Sequence, residues 1–437
     1  MQLRYKLLYL FIAVGSLITA AGQQQYTLLE CIEIALENNR DIKQQELNKQ
    51  QRMVAYSQAR ADLLPAVNAS AGHNFIFGRS IGLDNTYQNT NSTQSNFNIV
   101  ADITLFDGLR MKHNIDARKA DMMVSEANLE RIQDEIIMSV STAFLQALLN
   151  RELLTIAENQ IQTTRENLKR STELVNSGKM AKGELYEIEA QLAKEEVNRV
   201  QAENNYKLAL LDLAQIMELE KFDDFEIVSP PAEALIDETP LLSSQMVYES
   251  ALVNRPEIRS LQYQLESSTK EMLMAKSQYF PTLSFGASMG TGYYNMNGRD
   301  NDPFATQLRN NISNSLGFSL RIPIFNRFQI KNSVQNAQIA IANSRLEMDK
   351  TKLELRKRIE QAFYNAVGAE SRWEAAKKSV TASNEAYRFA EEKHESGRAT
   401  SYELFLAKNN QTQALGEEAQ AKYEYAFRLK ILELLKD

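Results

Sequence analysis

The chain has 437 residues, with 49 Lys and Arg against 56 Asp and Glu, a formal net charge of −7, three histidines and one cysteine. The acidic balance and the lack of a basic patch argue against a nucleic-acid partner. One cysteine excludes a disulfide framework, and His73, His113 and His394 are too scattered for a zinc site, so no metal or cofactor is expected.

Arg4 and Lys6 precede an apolar run from Leu7 to Ala20, and Ala20, Ala21 and Gly22 supply small residues for cleavage. Residues 1–22 are therefore predicted to be a secretory signal peptide, because the run is shorter than the ~20 apolar residues of a spanning helix. A first unit follows over 23–228, with a helix at 26–62, strands at 65–78 and 95–106 around a polar loop 79–94, and helical sequence over 109–225. Cys31 falls in the helical pattern Leu28 to Ile34 and is predicted to be a small core residue. A linker, 229–242, holds Pro230, Pro231 and Pro240. The second unit, 243–437, has helices at 243–278 and 327–436, strands at 281–294 and 312–325, and a loop at 295–311.

The two units are one pattern written twice. Ala35-Leu36, Ile42 and Leu64-Pro65 recur 216 residues later as Ala251-Leu252, Ile258 and Phe280-Pro281. Ile103 to Phe106, Ser177-Gly178 and Glu184-Leu185 recur 219 residues later as Ile322 to Phe325, Ser396-Gly397 and Glu403-Leu404. The period is far longer than that of a solenoid repeat.

No proline lies between Phe106 and Val228, and none follows Pro323. Val140, Ala147, Leu154, Ile161, Leu168 and Val175 stand seven apart, and the twin gives Ile359, Ala366, Trp373, Val380, Tyr387 and His394. Sustained heptads of this kind predict coiled-coil packing. Each long arm, ~100 Å at the α-helical rise, stops at Gly178 or Gly397, and a second helix with Leu185, Ile188 and Leu192 on one face returns. The hairpin ends expose Lys179, Met180, Arg398, Ala399 and Thr400.

The strands alternate strictly. Phe97, Ile99, Ala101, Ile103 and Leu105 are interleaved with Asn96, Asn98, Asp102 and Thr104. Leu316, Phe318, Leu320, Ile322 and Ile324 are interleaved with Gly317, Ser319 and Arg321. Leu283, Phe285, Ala287 and Met289 form a third case; Val67, Ala69, Ala71, His73 and Phe75 form a weaker fourth. Period-two alternation over about ten residues marks a membrane barrel strand, although a soluble sheet with one wet face shares it. Asp102 and Arg321 occupy equivalent polar-face positions and are expected to face barrel water. Four strands cannot close in lipid, where an open edge is not tolerated, so two, three or four copies must pool theirs.

The order of these motifs, with Leu105-Phe106-Asp107-Gly108 at a strand-to-helix junction, resembles the TolC-like outer-membrane factors of drug efflux and type I secretion. The resemblance covers essentially the whole chain after residue 22, and Asn74 to Ser80 is similar to members from Bacteroidetes-type bacteria. It implies a mainly α fold with membrane β: a duplicated helix–strand–strand–helix–helix unit whose four strands join a trimeric twelve-stranded barrel in the outer membrane, above a helical tunnel in the periplasm. It implies no catalysis. It implies a homotrimer in outer-membrane lipid, a periplasmic adaptor docking at the turns (Gly178, Lys179, Met180; Gly397, Arg398, Ala399, Thr400) and an inner-membrane pump of the RND or ABC type. It also implies an acidic constriction near the tips, matched here by Glu184, Glu187 and Glu403, with Leu406 where a further acid is expected.

Two rival readings fit the sequence less well. A periplasmic coiled-coil adaptor or scaffold would have no use for lipid-facing rows. A hydrolase built on Ser288, in Gly286-Ala287-Ser288-Met289-Gly290, would need a sharp strand-to-helix elbow and a reachable histidine, whereas this stretch sits inside an alternating strand. Met111, Met122, Met123 and Met138 fit core positions better than a metal-export trail.

Overall fold

The computed structural model describes residues 25–81, 85–89, 91–220, 225–229 and 241–436. The expected signal peptide, most of the linker 229–242, part of the loop 79–94 and the last residue lie outside them.

The first repeat comprises β1 (Gln25–Tyr26), α1 (Leu28–Asn38), α2 (Arg40–Ala61), β2 (Ala66–Ile76), β3 (Arg79–Ile81), β4 (Tyr87–Asn89), β5 (Ser92–Phe106), α3 (Arg110–Asn176), α4 (Lys182–Ile216) and β6 (Glu226–Ile227). The second comprises α5 (Ser244–Asn254), α6 (Pro256–Ser277), β7 (Thr282–Met296), α7 (Phe304–Asn310), β8 (Ser313–Arg321), α8 (Gln329–Glu395) and α9 (Ser401–Lys436). The helices of the repeats match almost residue for residue: 11, 22, 67 and 35 residues in the first, 11, 22, 67 and 36 in the second.

Several boundaries differ from the sequence expectation. The helices expected at 26–62 and 243–278 are each broken in two. In the second repeat Arg255 leaves the α region, at φ −62° and ψ 126°, a conformation that the following Pro256 favours. Asn39 takes the same extended backbone without a following proline, so the break belongs to the repeat rather than to the proline. The helical sequence expected to run to 225 ends at Ile216, and residues 226–227 pair with β1 as a short parallel ladder. The strand expected at 312–325 stops at Arg321: Pro323 has no N–H to donate, and Ile322 and Ile324 lie in the connector. The loop at 295–311 carries α7, and the loop at 79–94 carries the β3–β4 pair.

The four main strands form one antiparallel sheet in the order β2-β5-β7-β8. Each repeat contributes a hairpin, and β5 pairs with β7 to join them. The end strands β2 and β8 are exposed along their whole length.

Chain contacts divide the protein into two compact units that do not follow the repeats. Among the described residues, one holds those of 25–39, 136–229 and 366–430; the other holds those of 40–135, 241–365 and 431–436. The first unit has a core of Cys31, Ala35, Val140, Phe144, Ala147, Leu148, Leu213, Met217 and Ile227, with Tyr423 and Ala426 from α9. Burial raises the Cys31 thiol to about 12, an inert neutral side chain. A capping box starts α1, with Thr27 and Glu30 exchanging bonds. Val140, Ala147, Ile161, Ile359 and Ala366 are buried, and the remaining heptad positions are half-buried. In the second unit Arg255 ties helices together, donating to the Leu434 carbonyl at 2.8 Å and pairing with Glu257 and Asp134. Glu257 also receives Arg358 of α8 at 2.8 Å.

Candidate functional site

The two long helices end in the same way. Gly178 N–H reaches the Val175 carbonyl at 3.0 Å and Lys179 N–H reaches Leu174 at 2.9 Å; Gly397 and Arg398 repeat this to His394 and Lys393 at 2.9 and 2.8 Å. This pair of bonds closes a helix when the next residue is left-handed. Gly178 and Gly397 supply that conformation at φ 72° and 71°, where a side chain is strained.

The return helices start differently. Thr400 caps α9: its hydroxyl accepts from Glu403 N–H at 3.3 Å, and the Glu403 carboxylate accepts from Thr400 N–H at 2.8 Å. That backbone bond holds the Glu403 carboxyl below its usual range, and the Thr400 hydroxyl adds to it. The twin position is Ala181, which has no side chain to cap with. Glu184, the twin of Glu403, instead accepts from the buried Ser401 hydroxyl at 3.0 Å, joining one hairpin to the other. Glu187 is exposed.

A cleft of about 750 Å³ brings these groups together. Its lining includes Lys179, Met180, Glu184 and Glu187 from the first hairpin and Gly397, Arg398, Ala399, Thr400 and Glu403 from the second. Gly178 shapes the first turn without lining the cleft. His394 also lines it, and a bond between its Nδ1 and the Ala399 carbonyl, 3.1 Å, braces the second turn.

A buried polar network, absent from the sequence reading, crosses the same unit. The Lys408 side chain is 3 % exposed and that of Glu195 is 4 % exposed, with nitrogen and oxygen 3.9 Å apart. Lys408 donates to the Thr164 hydroxyl at 2.6 Å and to the Gln160 carbonyl at 3.2 Å, and Thr164 donates to Glu195 at 2.5 Å. Gln160 and Gln191 donate to the other Glu195 oxygen. Burial pushes the Lys408 ammonium below its usual range, opposed by Glu195 and Glu391. The signal was present: Ile188 and Glu195 are seven apart, and Leu404 and Lys408 four apart, so opposite charges interrupt two apolar stripes.

The sheet sorts most of its central residues by face. One face carries the rows Val67–Ala101–Ala287–Leu316 and Ala69–Ile99–Met289–Asn314, with Ile103–Phe285–Phe318 beside them; Asn314 is the polar end of its row. The other carries Ser70–Asn98–Gly290–Ser313 and Ala66–Asp102–Gly286–Gly317; Val100 interrupts it in the middle, and Ile76, Tyr294 and Met296 lie on it toward the loop end. Asp102 and Arg321 both stand on this polar face, Arg321 opposite Thr282. Leu105 is the extra residue of a bulge, so Phe106 rather than Leu105 pairs with Leu283. Ser288 lies between Val100 and Ser315 on the polar face, while His73 bonds Ser95 on the opposite one. No nucleophile elbow is formed.

Comparison with known proteins agrees with this geometry. The family described as outer membrane efflux protein matches residues 31–217 and 247–435. The proteases secretion protein PrtF of Dickeya chrysanthemi is 21 % identical over 93 % of this chain and 87 % of its own. The outer membrane protein TolC of Escherichia coli is 21 % identical over 96 % and 84 %. Among solved structures, CusC superposes with a TM-score of 0.78 at 16 % identity, over 96 % of this chain and 95 % of its own.

Proposed function

We infer, from a chain that belongs to the outer membrane efflux protein family, a passive exit duct of the outer membrane, with its helices in the periplasm and no catalytic role. The observation that carries this reading is the two-faced sheet. Leu316 and Phe318 are 74 % and 73 % exposed on the apolar face, a large surface that only lipid or another protein would cover. Aromatic residues flank the aliphatic rows, with Phe75 and Phe97 at one end and Phe106, Phe280 and Phe325 at the other. From Phe97 to Phe106 the strand rises about 30 Å at 3.4 Å per residue. Tilted ~40°, it spans about 23 Å of height, close to the apolar band of outer-membrane barrels.

The finer assignments build on that duct. Three copies would pool four strands each into a twelve-stranded barrel, with the polar face, Asp102 and Arg321 toward the lumen. The turns at Gly178 and Gly397, with Lys179, Met180, Arg398, Ala399 and Thr400, would dock a periplasmic adaptor, which connects the duct to an inner-membrane pump of the RND or ABC type. Glu184, Glu187 and Glu403 would form an acidic ring that concentrates cations. The cargo is a small molecule or a polypeptide, and the pump supplies the energy.

Planar-bilayer conductance tests the duct. The purified protein should conduct, with a cation preference that falls when Glu184, Glu187 and Glu403 are all replaced by Ala. Because Glu403 also caps α9, Glu187→Gln alone should lower it part of the way. A protein that never conducts would end the duct reading; unchanged selectivity would make the glutamates an ordinary solvated face. Bulky replacements at Gly178 and Gly397 should abolish export while leaving the assembled protein in the outer membrane.

A further inference from the structure

β7 outruns its neighbour. It continues to Met296, whereas β8 begins at Ser313 opposite Gly290, so Thr291 to Met296 have no strand on that side. α7 takes the vacant place. The Gln307 amide accepts from Tyr294 N–H at 3.0 Å and donates to the Tyr294 carbonyl at 3.0 Å. Asn311 donates to the Gly292 carbonyl at 2.8 Å, and the Thr291 hydroxyl donates to the Leu308 carbonyl at 2.6 Å. Two side-chain amides thus satisfy backbone groups that a ladder would otherwise pair. α7 is fixed to the strand edge through defined bonds and is not a loose loop.

α7 also leans to one side. The Phe304 ring stands 5.0 Å from Tyr293 and 6.5 Å from Phe97. Both belong to the apolar face, in the rows Ser95–Tyr293 and Phe97–Thr291. Phe304 remains 47 % exposed. An aromatic ring is thereby carried beyond the end of the aliphatic rows, on their face, at the sheet end remote from α3. Charges around it balance: Arg299 and Arg309 against Asp300 and Asp302.

We propose that α7 is an interfacial anchor, lying in the headgroup layer of the outer leaflet with Phe304 at the acyl boundary. The proposal rests on the barrel reading, since lipid is the occupant that continues along this apolar face. A helix with an apolar side suits the interface, where apolar side chains dip ~5–10 Å into the headgroup and acyl boundary; with its charges balanced, α7 would be held there by Phe304 rather than by charge. Bonds from Gln307 and Asn311 to β7 would hold its depth against the barrel, so the anchor would set how high the rim stands in the membrane.

The test uses tryptophan as a depth probe. Trp373 is replaced by Phe, and Phe304→Trp, Thr306→Trp or Ile103→Trp is added to the full chain in phosphatidylcholine vesicles brominated near the carbonyl or near the methyl end of the acyl chains. Ile103→Trp should lose emission most to deep bromines. Phe304→Trp should be blue-shifted and lose emission most to shallow bromines, and Thr306→Trp should follow it more weakly. If Trp373→Phe fails to fold, the same tryptophans in the parent chain are read after subtracting its spectrum. Quenching of Ile103→Trp with none of Phe304→Trp overturns the anchor and keeps the barrel: α7 then faces water or is covered by a neighbouring copy. Quenching of neither overturns the barrel itself.

Discussion

Lys408 carries a buried charge across the helical unit. It brings a charge from α9 into contact with Glu195 of α4 through Thr164 of α3. Removing one partner of a buried pair strands the other charge, a loss of about 3–5 kcal/mol, whereas replacing both by apolar groups is close to neutral. Lys408→Ala should therefore lower the midpoint of thermal unfolding, followed by circular dichroism in detergent, and Lys408→Met with Glu195→Leu should restore most of it. The pair also has a pH signature. Its ammonium is held below the ordinary 10.5, so between the folded value and 10.5 the unfolded chain binds more protons and stability rises with pH. This contribution is complete above 10.5 and is lost as pH falls through the folded value. The Lys408→Met variant should lack that alkaline rise; an identical pH profile in both proteins would show that the network carries no such cost. Glu403 has the opposite charge type and a lowered carboxyl, so its cap is complete above the ordinary 4.5 and weakens as pH falls through the folded value.

At the scale of elements, the strands decide what the protein can face. Register pairs Asp102 with Gly286 and Arg321 with Thr282 on the polar face, and Ile103 with Phe285 on the apolar one. Single cysteines at Asp102 and Arg321 should react with a small water-soluble maleimide in membranes, and a cysteine at Ile103 should be shielded. Reaction at 103 with protection at 102 would invert the faces. Ile322 would be a poor control, because the strand ends at Arg321. The twin helices carry a second lesson: one return helix has a threonine cap and the other an alanine, and this single difference frees Glu184 to bond the other hairpin through Ser401.

For the whole molecule, the controlling fact is a four-stranded sheet with exposed strands at both ends. Unpaired edges are costly in lipid, and the remaining described strands, β1 with β6 and β3 with β4, pair among themselves and do not extend this sheet. Detergent-purified protein should have the mass of three chains after subtraction of bound detergent. A stable monomer extracted from membranes would sink the barrel, and a dimer or tetramer would keep closure while changing the strand number.

The sequence by itself determined the duplicated plan, the coiled-coil arms, the glycine turns and the alternation of the strands. These follow from local rules: a period of two or seven, the absence of proline, and a residue that tolerates positive φ. It also carried enough ordered motifs to indicate the family. What only the tertiary structure decided was pairing. That β5 joins β7, that α7 finishes an unpaired strand edge, and that Lys408 finds Glu195 through Thr164 all depend on residues far apart in the chain. A periodic pattern states which side of an element is buried, but not which other element lies against it. The compact units cut across the repeats for the same reason: duplication is a property of the chain, whereas packing belongs to the elements that meet.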